Sequence, residues 1–357
     1  MTIPPTTPFL RPGVAAALGA ALLFGAGTPL AKQLLADVGP WMLAGLLYLG
    51  SGLGLTLIRR LRGEATAKLP PGQWRWLAGA VLAGGVVGPV LLMFGLTRMP
   101  ASGASLLLNA EGVFTALLAW FVFGENVDRR IALGMAAIVA GAMILSWPDQ
   151  AEFGDGRWSD LWPALAVLGA CLAWAVDNNL TRKVSLSDAT WIASVKGLAA
   201  GSVNLVLALA IGDRLPALST LGGAMLLGLL AYGISLAWFV IGLRHLGTAR
   251  TGAYFSVAPF FGALLAVSAF GEPLDGRLLL AGSLMALGVW LHLSEHHSHA
   301  HRHLPLEHEH EHSHDDGHHG HPHTEGGLGL RHSHHHRHDP VEHEHAHFPD
   351  AHHHHGH

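Results

Sequence analysis

From Gly13 to Leu293 the chain is a succession of apolar runs separated by short connections that carry Pro, Gly or charge. A helix rises about 1.5 Å per residue, so roughly 20 apolar residues cross the hydrocarbon core of a bilayer. Ten segments approach or exceed that length: 13–36, 40–58, 74–97, 101–124, 130–147, 161–182, 189–211, 219–243, 248–271 and 276–293. Backbone N–H and C=O groups find no water in lipid, and a run of this kind satisfies them internally as a helix. The expected class is an all-α membrane protein of ten transmembrane helices.

Small residues are dense inside these runs, as in Leu82-Ala83-Gly84-Gly85-Val86-Val87-Gly88. In lipid they let helices approach closely, because packing rather than water expulsion drives association. From Ser294 onward the character reverses and apolar residues almost vanish. Five regions follow: a short N-terminal segment 1–12, a first five-helix unit 13–147, a loop 148–160, a second five-helix unit 161–293 and a tail 294–357. The opening Met-Thr-Ile-Pro-Pro-Thr-Thr-Pro lacks the basic start and short apolar core of a cleaved signal, so the first run is expected to stay in the membrane. The single cysteine, Cys171, sits in apolar Gly-Ala-Cys-Leu-Ala and reads as a small buried hydrophobe.

Basic residues set the expected orientation. With the N-terminus inside, the inner side collects Arg11, Arg59, Arg60, Arg62, Lys68, Arg75, Arg129, Arg130, Arg182, Lys183, Arg244 and Arg250. The outer side collects Lys32, Arg98, Arg157, Arg214 and Arg277. Both termini are thus expected in the cytoplasm of a cell whose inner or plasma membrane holds the protein. No strongly basic patch is present, so nucleic acid is not an expected partner.

The sequence repeats itself. Phe123-Gly124-Glu125 recurs 147 residues later as Phe270-Gly271-Glu272, and in the same register Gly95-Leu96 matches Gly242-Leu243, Asp128 matches Asp275, Arg130 matches Arg277 and Gly141 matches Gly288. At an offset of 150, Leu30-Ala31-Lys32 aligns with Leu180-Thr181-Arg182. A unit of five helices is odd, so the second copy enters the membrane from the opposite face. Two inverted five-helix repeats are a frequent plan of secondary transporters, with the solute site near the midplane between them.

These features resemble the drug/metabolite transporter superfamily, and within it the EamA-type permeases. The resemblance is carried by the first helix around Leu23-Phe24-Gly25-Ala26-Gly27-Thr28-Pro29-Leu30-Ala31-Lys32. It is carried also by Phe123-Gly124-Glu125 with the glycine-bearing fifth helix, and by the second copy from Ala258-Pro259 through Phe270-Gly271-Glu272. It covers about residues 13–293 and implies a carrier of amino acids, drugs, nucleotide sugars or other metabolites. The family usually has Pro in the middle of the fourth and ninth helices. The second copy keeps Pro259, whereas the first has Glu111-Gly112 at that point.

Ionisable groups inside a membrane are costly and usually face the bundle interior. Three stand out: Glu111 with neighbouring Asn109, Asp177 followed by Asn178 and Asn179, and Lys196. Asp177 and Lys196 lie at similar depth in successive helices, which suits an ion pair. That pair either fixes helix register or opens to a charged or zwitterionic solute. Glu111 has no partner nearby in sequence and is suited to take up and release a proton in a proton-coupled carrier. The alternative is a permanently protonated group that hydrogen-bonds a neighbouring helix. Trp174 and Trp238 lie deep enough to line a pocket, whereas Trp41, Trp74, Trp76, Trp147 and Trp158 read as interface anchors. Glu125, Glu272, Lys32 and Arg182 sit near span ends and are expected to hold local geometry.

Of 28 histidines, 26 lie in residues 294–357. They alternate at His308, His310, His312 and His314, cluster at His334, His335 and His336, and run through His352, His353, His354 and His355. The composition cannot form a core, so the tail is expected to be disordered. Neutral imidazole is a good ligand for Zn, Ni, Co and Cu, and metal binding by these residues is expected. No cofactor is required by any motif.

The leading expectation is a secondary transporter, more readily an exporter, of small organic metabolites or drugs with a metal-binding regulatory tail. The alternatives are a divalent-metal transporter fed by the tail and a metal-responsive sensor. The expected partners are the bilayer, a small solute, divalent metal ions and a second copy in a homodimer. No nucleophile triad, phosphate loop or metal-hydrolase motif points to an enzyme.

Overall fold

The computed structural model describes residues 12–64, 69–123, 129–147, 157–184, 187–293, 298–302, 306–312, 332–338 and 342–346. The chain divides into two compact units, one holding the apolar helices and one spanning residues 296–349. The helices, in order, are α1 (Pro12–Leu34), α2 (Pro40–Leu61), α3 (Trp74–Ala80), α4 (Gly88–Arg98), α5 (Ala101–Leu107), α6 (Ala110–Phe123), α7 (Arg129–Ser146), α8 (Arg157–Arg182), α9 (Ala189–Ala210), α10 (Leu218–Gly228), α11 (Ser235–Phe255), α12 (Ala258–Phe270) and α13 (Gly276–Leu293).

Seven of the ten expected spans are helices long and apolar enough to cross a membrane, and residues 132–146, 258–270 and 276–291 form shorter apolar helices. Two spans are interrupted. The fourth span is broken at Leu108-Asn109, between α5 and α6, and the ninth at Ser256-Val257, between the end of α11 and α12. The second break precedes Pro259, which lacks an N–H and opens a new helix at its first turn. Helix α11 is not a straight rod. The rings of Phe239 and Phe255 are 4.9 Å apart, whereas 16 residues of straight helix span about 24 Å. Gly242 likewise packs on Thr251. The chain therefore doubles back between them, and the eighth and ninth spans are antiparallel neighbours.

Two stretches adopt π geometry: Val81–Val87, which joins α3 to α4, and Leu229–Ile234, which joins α10 to α11. They occupy the same place in the 147-residue register. Gly88 N–H reaches back to Ala83 C=O, and Ser235 N–H to Leu230 C=O, 147 residues on. A wide turn of this kind leaves carbonyls without their usual partner, and such turns are frequent at functional sites.

Helices meet along glycine seams. In α2 and α9, Gly45 touches Leu205, Leu49 touches Gly201 and Gly52 touches Gly197, so the two run in opposite directions. A side chain at Gly52 or Gly201 would strike the partner's backbone. The same reversed order holds for α7 and α13, where Gly141 meets Met285 and Gly288 meets Ile138. It holds for α1 against α11 and the π stretch before it, where Gly19 meets Trp238 and Gly27 meets Ala231, and Ser235 donates 2.9 Å to Ala20 C=O. It holds again for α4 and α8, where Gly88 meets Trp174 and Gly95 meets Val167. The first span thus packs on the eighth and the third on the sixth, so exchanging the halves leaves the set of neighbours unchanged.

The tail departs from the expected disorder in its described parts. Strand β1 (Ser298–Arg302) pairs antiparallel with β4 (Glu342–Ala346), and β2 (Leu306–His312) with β3 (His332–His338). Alternation of His with Glu or Arg has the two-residue period of an extended strand, which is the local reason this composition pairs. His314 and His352 to His355 lie outside the described residues.

Candidate functional site

The break at Leu108-Asn109 puts Glu111 in the first turn of α6, where free N–H groups favour a carboxylate. Asn109 does not reach outward. Its side-chain amide folds back to donate 2.9 Å to Leu106 C=O and closes the end of α5. Packing of α6 on α8 brings Asn178 to Glu111, and Asn178 Nδ2 donates 2.8 Å to Glu111 Oε1. Glu111 has no partner nearby in sequence, and the one it has lies 67 residues away on a neighbouring helix. Glu111 is half-buried and Asn178 exposed, and a Cβ placed at adjacent Gly112 would meet nothing within 4 Å. Gly112 itself is exposed.

One residue earlier on α8, Asp177 points elsewhere. It is 8% exposed, and Lys196 of α9 donates to both of its oxygens, at 2.5 and 2.7 Å. Thr181 also donates to it, at 2.8 Å. The carboxylate lies against Gly84 in the first π stretch, where any side chain would collide with it. The carbonyl of Gly84, freed by the π geometry, accepts from Tyr48 Oη at 2.7 Å and from Trp174 Nε1 at 2.9 Å. The next carbonyl, of Gly85, accepts from Asn204 Nδ2 at 3.0 Å. Asn179 donates 2.8 Å to Ala175 C=O in its own helix. Adjacent residues of α8 thus serve two different acidic groups: Asp177 is ion-paired toward α9, and Asn178 donates to the Glu111 carboxyl of α6.

An aromatic cluster continues from Tyr48. Its ring lies 5.5 Å from that of Tyr232, which sits in the second π stretch, and Phe24 lies 5.9 Å from Tyr232 and 5.3 Å from Phe255. All four rings are half-buried. They come from both halves of the chain, and sequence reading passed over them as site residues. The available signal was a tyrosine in mid-span, whose hydroxyl needs a partner when buried. Trp238, in contrast, lies over Gly19 on the α1–α11 seam and is 40% exposed.

Charges at the ends of the helices hold geometry. Lys32 donates to Leu96 C=O at 3.1 Å and to Met99 C=O, closing the last turn of α4, while Glu272 accepts from the N–H groups of Ala101 and Ser102 at 2.7 and 2.8 Å, capping α5. Each charge suits the helix end it faces. Glu125 lies outside the described residues. Near the end of α2, Arg59 donates 2.8 Å to Asp188 and 2.6 Å to Thr190 and lies 2.8 Å from Glu64. Partial burial pushes the Asp188 carboxyl up, but hydrogen bonds from Thr190, Arg59 and the Trp191 N–H, with the Arg59 charge, outweigh it and hold the group at about 2. Among the described residues no group of three or more His, Cys, Asp or Glu side chains is arranged to hold a metal ion.

Residues 11–147 and 161–294 each match the model of the EamA-like transporter family. The chain is 28% identical over 300 residues to an uncharacterised transporter of Methanothermobacter thermautotrophicus, covering 78% of this chain and 85% of that one. It is 27% identical over 270 residues to the uncharacterised inner membrane transporter YedA of Escherichia coli K12, covering 71% and 83%. It is 27% identical over 211 residues to a probable amino-acid metabolite efflux pump of Salmonella typhimurium, covering 55% and 68%. A protein solved by crystallography shares the fold with a TM-score of 0.59 at 20% identity, over 78% of this chain and 96% of that one.

Proposed function

The chain belongs to the EamA-like transporter family and is a multi-pass membrane transporter, and from that premise we propose a secondary carrier that exports small organic metabolites or drugs in exchange for protons at Glu111. The observation that carries this reading is the half-buried Glu111, hydrogen-bonded by Asn178 beside exposed Gly112, at the point where the fourth span is interrupted. Interrupted helices near the midplane are where carriers of this plan place their sites. A carboxyl held by one neutral donor can exchange that donor for a proton or a solute group.

The proposed architecture is two inverted five-helix repeats. Its support is the recurrence in the second half of a π stretch and of a break in the fourth helix of the unit, together with the reversed packing of α2 on α9 and of α7 on α13. The Asp177–Lys196 pair forms a fixed wall of the pathway, because Lys196 and Thr181 already occupy its oxygens. Export is supported by the relative named as an amino-acid metabolite efflux pump. Both termini lie in the cytoplasm by the bias of basic residues. The tail binds Zn, Ni, Co or Cu there and regulates the carrier.

The test is transport in proteoliposomes with radiolabelled amino acids, drugs and related metabolites under an imposed pH gradient. With Glu111→Gln, gradient-driven flux falls by about 100-fold, the scale on which removing a proton-transfer group acts, while the protein still purifies as a folded species. A variant that transports at the wild-type rate with an unchanged pH profile removes Glu111 from the mechanism.

A further inference from the structure

The repeat relates two places where the halves of the chain meet, and the structure holds them differently. At one end of the bundle α12 packs along α5, and both lie on α1. A Cβ at Gly262 of α12 would stand 2.6 Å from Ser105 Oγ of α5 and 2.7 Å from Gly25 C=O of α1, and one at Gly25 would strike Ala258 C=O. Every residue of α5 is buried. The hydrogen bonds of Lys32 to Leu96 and Met99, and of Ala101 and Ser102 to Glu272, clamp this same end. Its parts come from both halves, α1 and α5 from the first and α12 with Glu272 from the second.

The 147-residue register carries this contact to the other end, where Gly252 stands for Ser105 and Thr115 for Gly262. Helix α6, the counterpart of α12, keeps its packing on α8, the counterpart of α1. Among the described residues, however, α6 has no packing on α11 comparable to that of α12 on α5. A Cβ at Gly252 would meet nothing within 4 Å among them. Gly252 and Tyr254 are half-buried, where the corresponding Ser105 and Leu107 are buried. One copy of the duplicated contact is thus seated and the other is parted. The bias of basic residues assigns the seated copy to the outer side and the parted copy, near Arg244 and Arg250, to the cytoplasmic side.

We propose that the chain stands here closed to the outside and open to the cytoplasm, and that the opposite state forms when Gly252 seats on Thr115 as Gly262 now seats on Ser105. This rests on the inverted-repeat reading and adds which contact makes and which breaks. Packed interfaces are bistable rather than continuously deformable, so two copies of one contact, seated in turn, make a two-state element. A glycine on one side of each copy lets the helices close to backbone distance. The hydrogen bonds of Lys32 and Glu272 exist only while the outer copy is seated, so they weight the balance toward the cytoplasm-open state. A solute or proton shifts that balance by what it binds differently in the two states.

The test uses the full-length protein in inside-out membrane vesicles, in a Cys171→Ala background. Gly252→Cys alone reports exposure to a membrane-impermeant maleimide. Gly252→Cys with Thr115→Cys reports approach, as the rate of disulfide formation with copper phenanthroline as oxidant. Both are read with the clamp intact, with Glu272→Ala and with Lys32→Met, so that the result does not hang on the folding of one variant. With the clamp intact, Gly252→Cys labels readily. In either clamp variant labelling slows and the disulfide forms about 5-fold faster, the shift expected from the net loss of one hydrogen bond. No labelling with the clamp intact, no disulfide in any variant, or equal disulfide rates with and without the clamp overturns the proposal. Labelling of Arg62→Cys and Leu215→Cys from opposite faces, alongside such a failure, removes the alternating contact and leaves the inverted halves standing; labelling from one face removes both.

Discussion

At the residue scale, the two mid-membrane carboxyls differ in how they are satisfied. Asp177 has a cation and a hydroxyl on its oxygens, whereas Glu111 has a neutral amide. Removing one partner of a buried ion pair leaves an uncompensated charge and costs about 3–5 kcal/mol, while replacing both is often nearly neutral. Lys196→Met is therefore expected to lower thermal stability by an amount of that order. The double variant Asp177→Asn with Lys196→Met recovers most of it. Thermal unfolding in detergent measures both, and equal stability of wild type and Lys196→Met would show that the pair holds nothing together. The Asp177–Lys196 contact was legible in the sequence, because both residues stand at the same depth of one helical hairpin. The Glu111–Asn178 contact was not, since it depends on which helix the fourth span packs against, and hydropathy carries no such information.

At the element scale, glycine governs approach. Gly201 of α9 lies against the backbone of Leu49, and Gly52 of α2 against that of Gly197 and Leu198. Gly201→Leu forces α2 and α9 apart and is expected to cost about 1–3 kcal/mol or more, as overpacking a close seam does. The same change at Gly222, where a Cβ meets nothing within 4 Å, costs little. Comparing the two variants by thermal unfolding checks the seam, and equal effects would contradict it. The apolar runs announced the spans and the glycines announced tight packing, but the π stretches left no distinct trace. A shift from i−4 to i−5 bonding changes one turn and not the composition, and the clearest sign was a Gly-Gly step in mid-span.

At the scale of the whole molecule, the central claim is that two halves of opposite orientation enclose a site neither could build alone. The site draws on both. Glu111 comes from the first half and Asn178 from the second, Tyr48 from the first and Tyr232 from the second. The repeat also appears in small details. Gly63 and Gly212, both with positive φ, follow equivalent helices α2 and α9, and glycine alone takes that conformation without strain. If the halves are inverted, these two helix ends lie on opposite faces of the membrane. The direct measurement is labelling of single cysteines, Arg62→Cys and Leu215→Cys in a Cys171→Ala background, by a membrane-impermeant maleimide on intact cells. The account requires Leu215→Cys to label from outside and Arg62→Cys to label only after permeabilisation; labelling of both from the same side would contradict it.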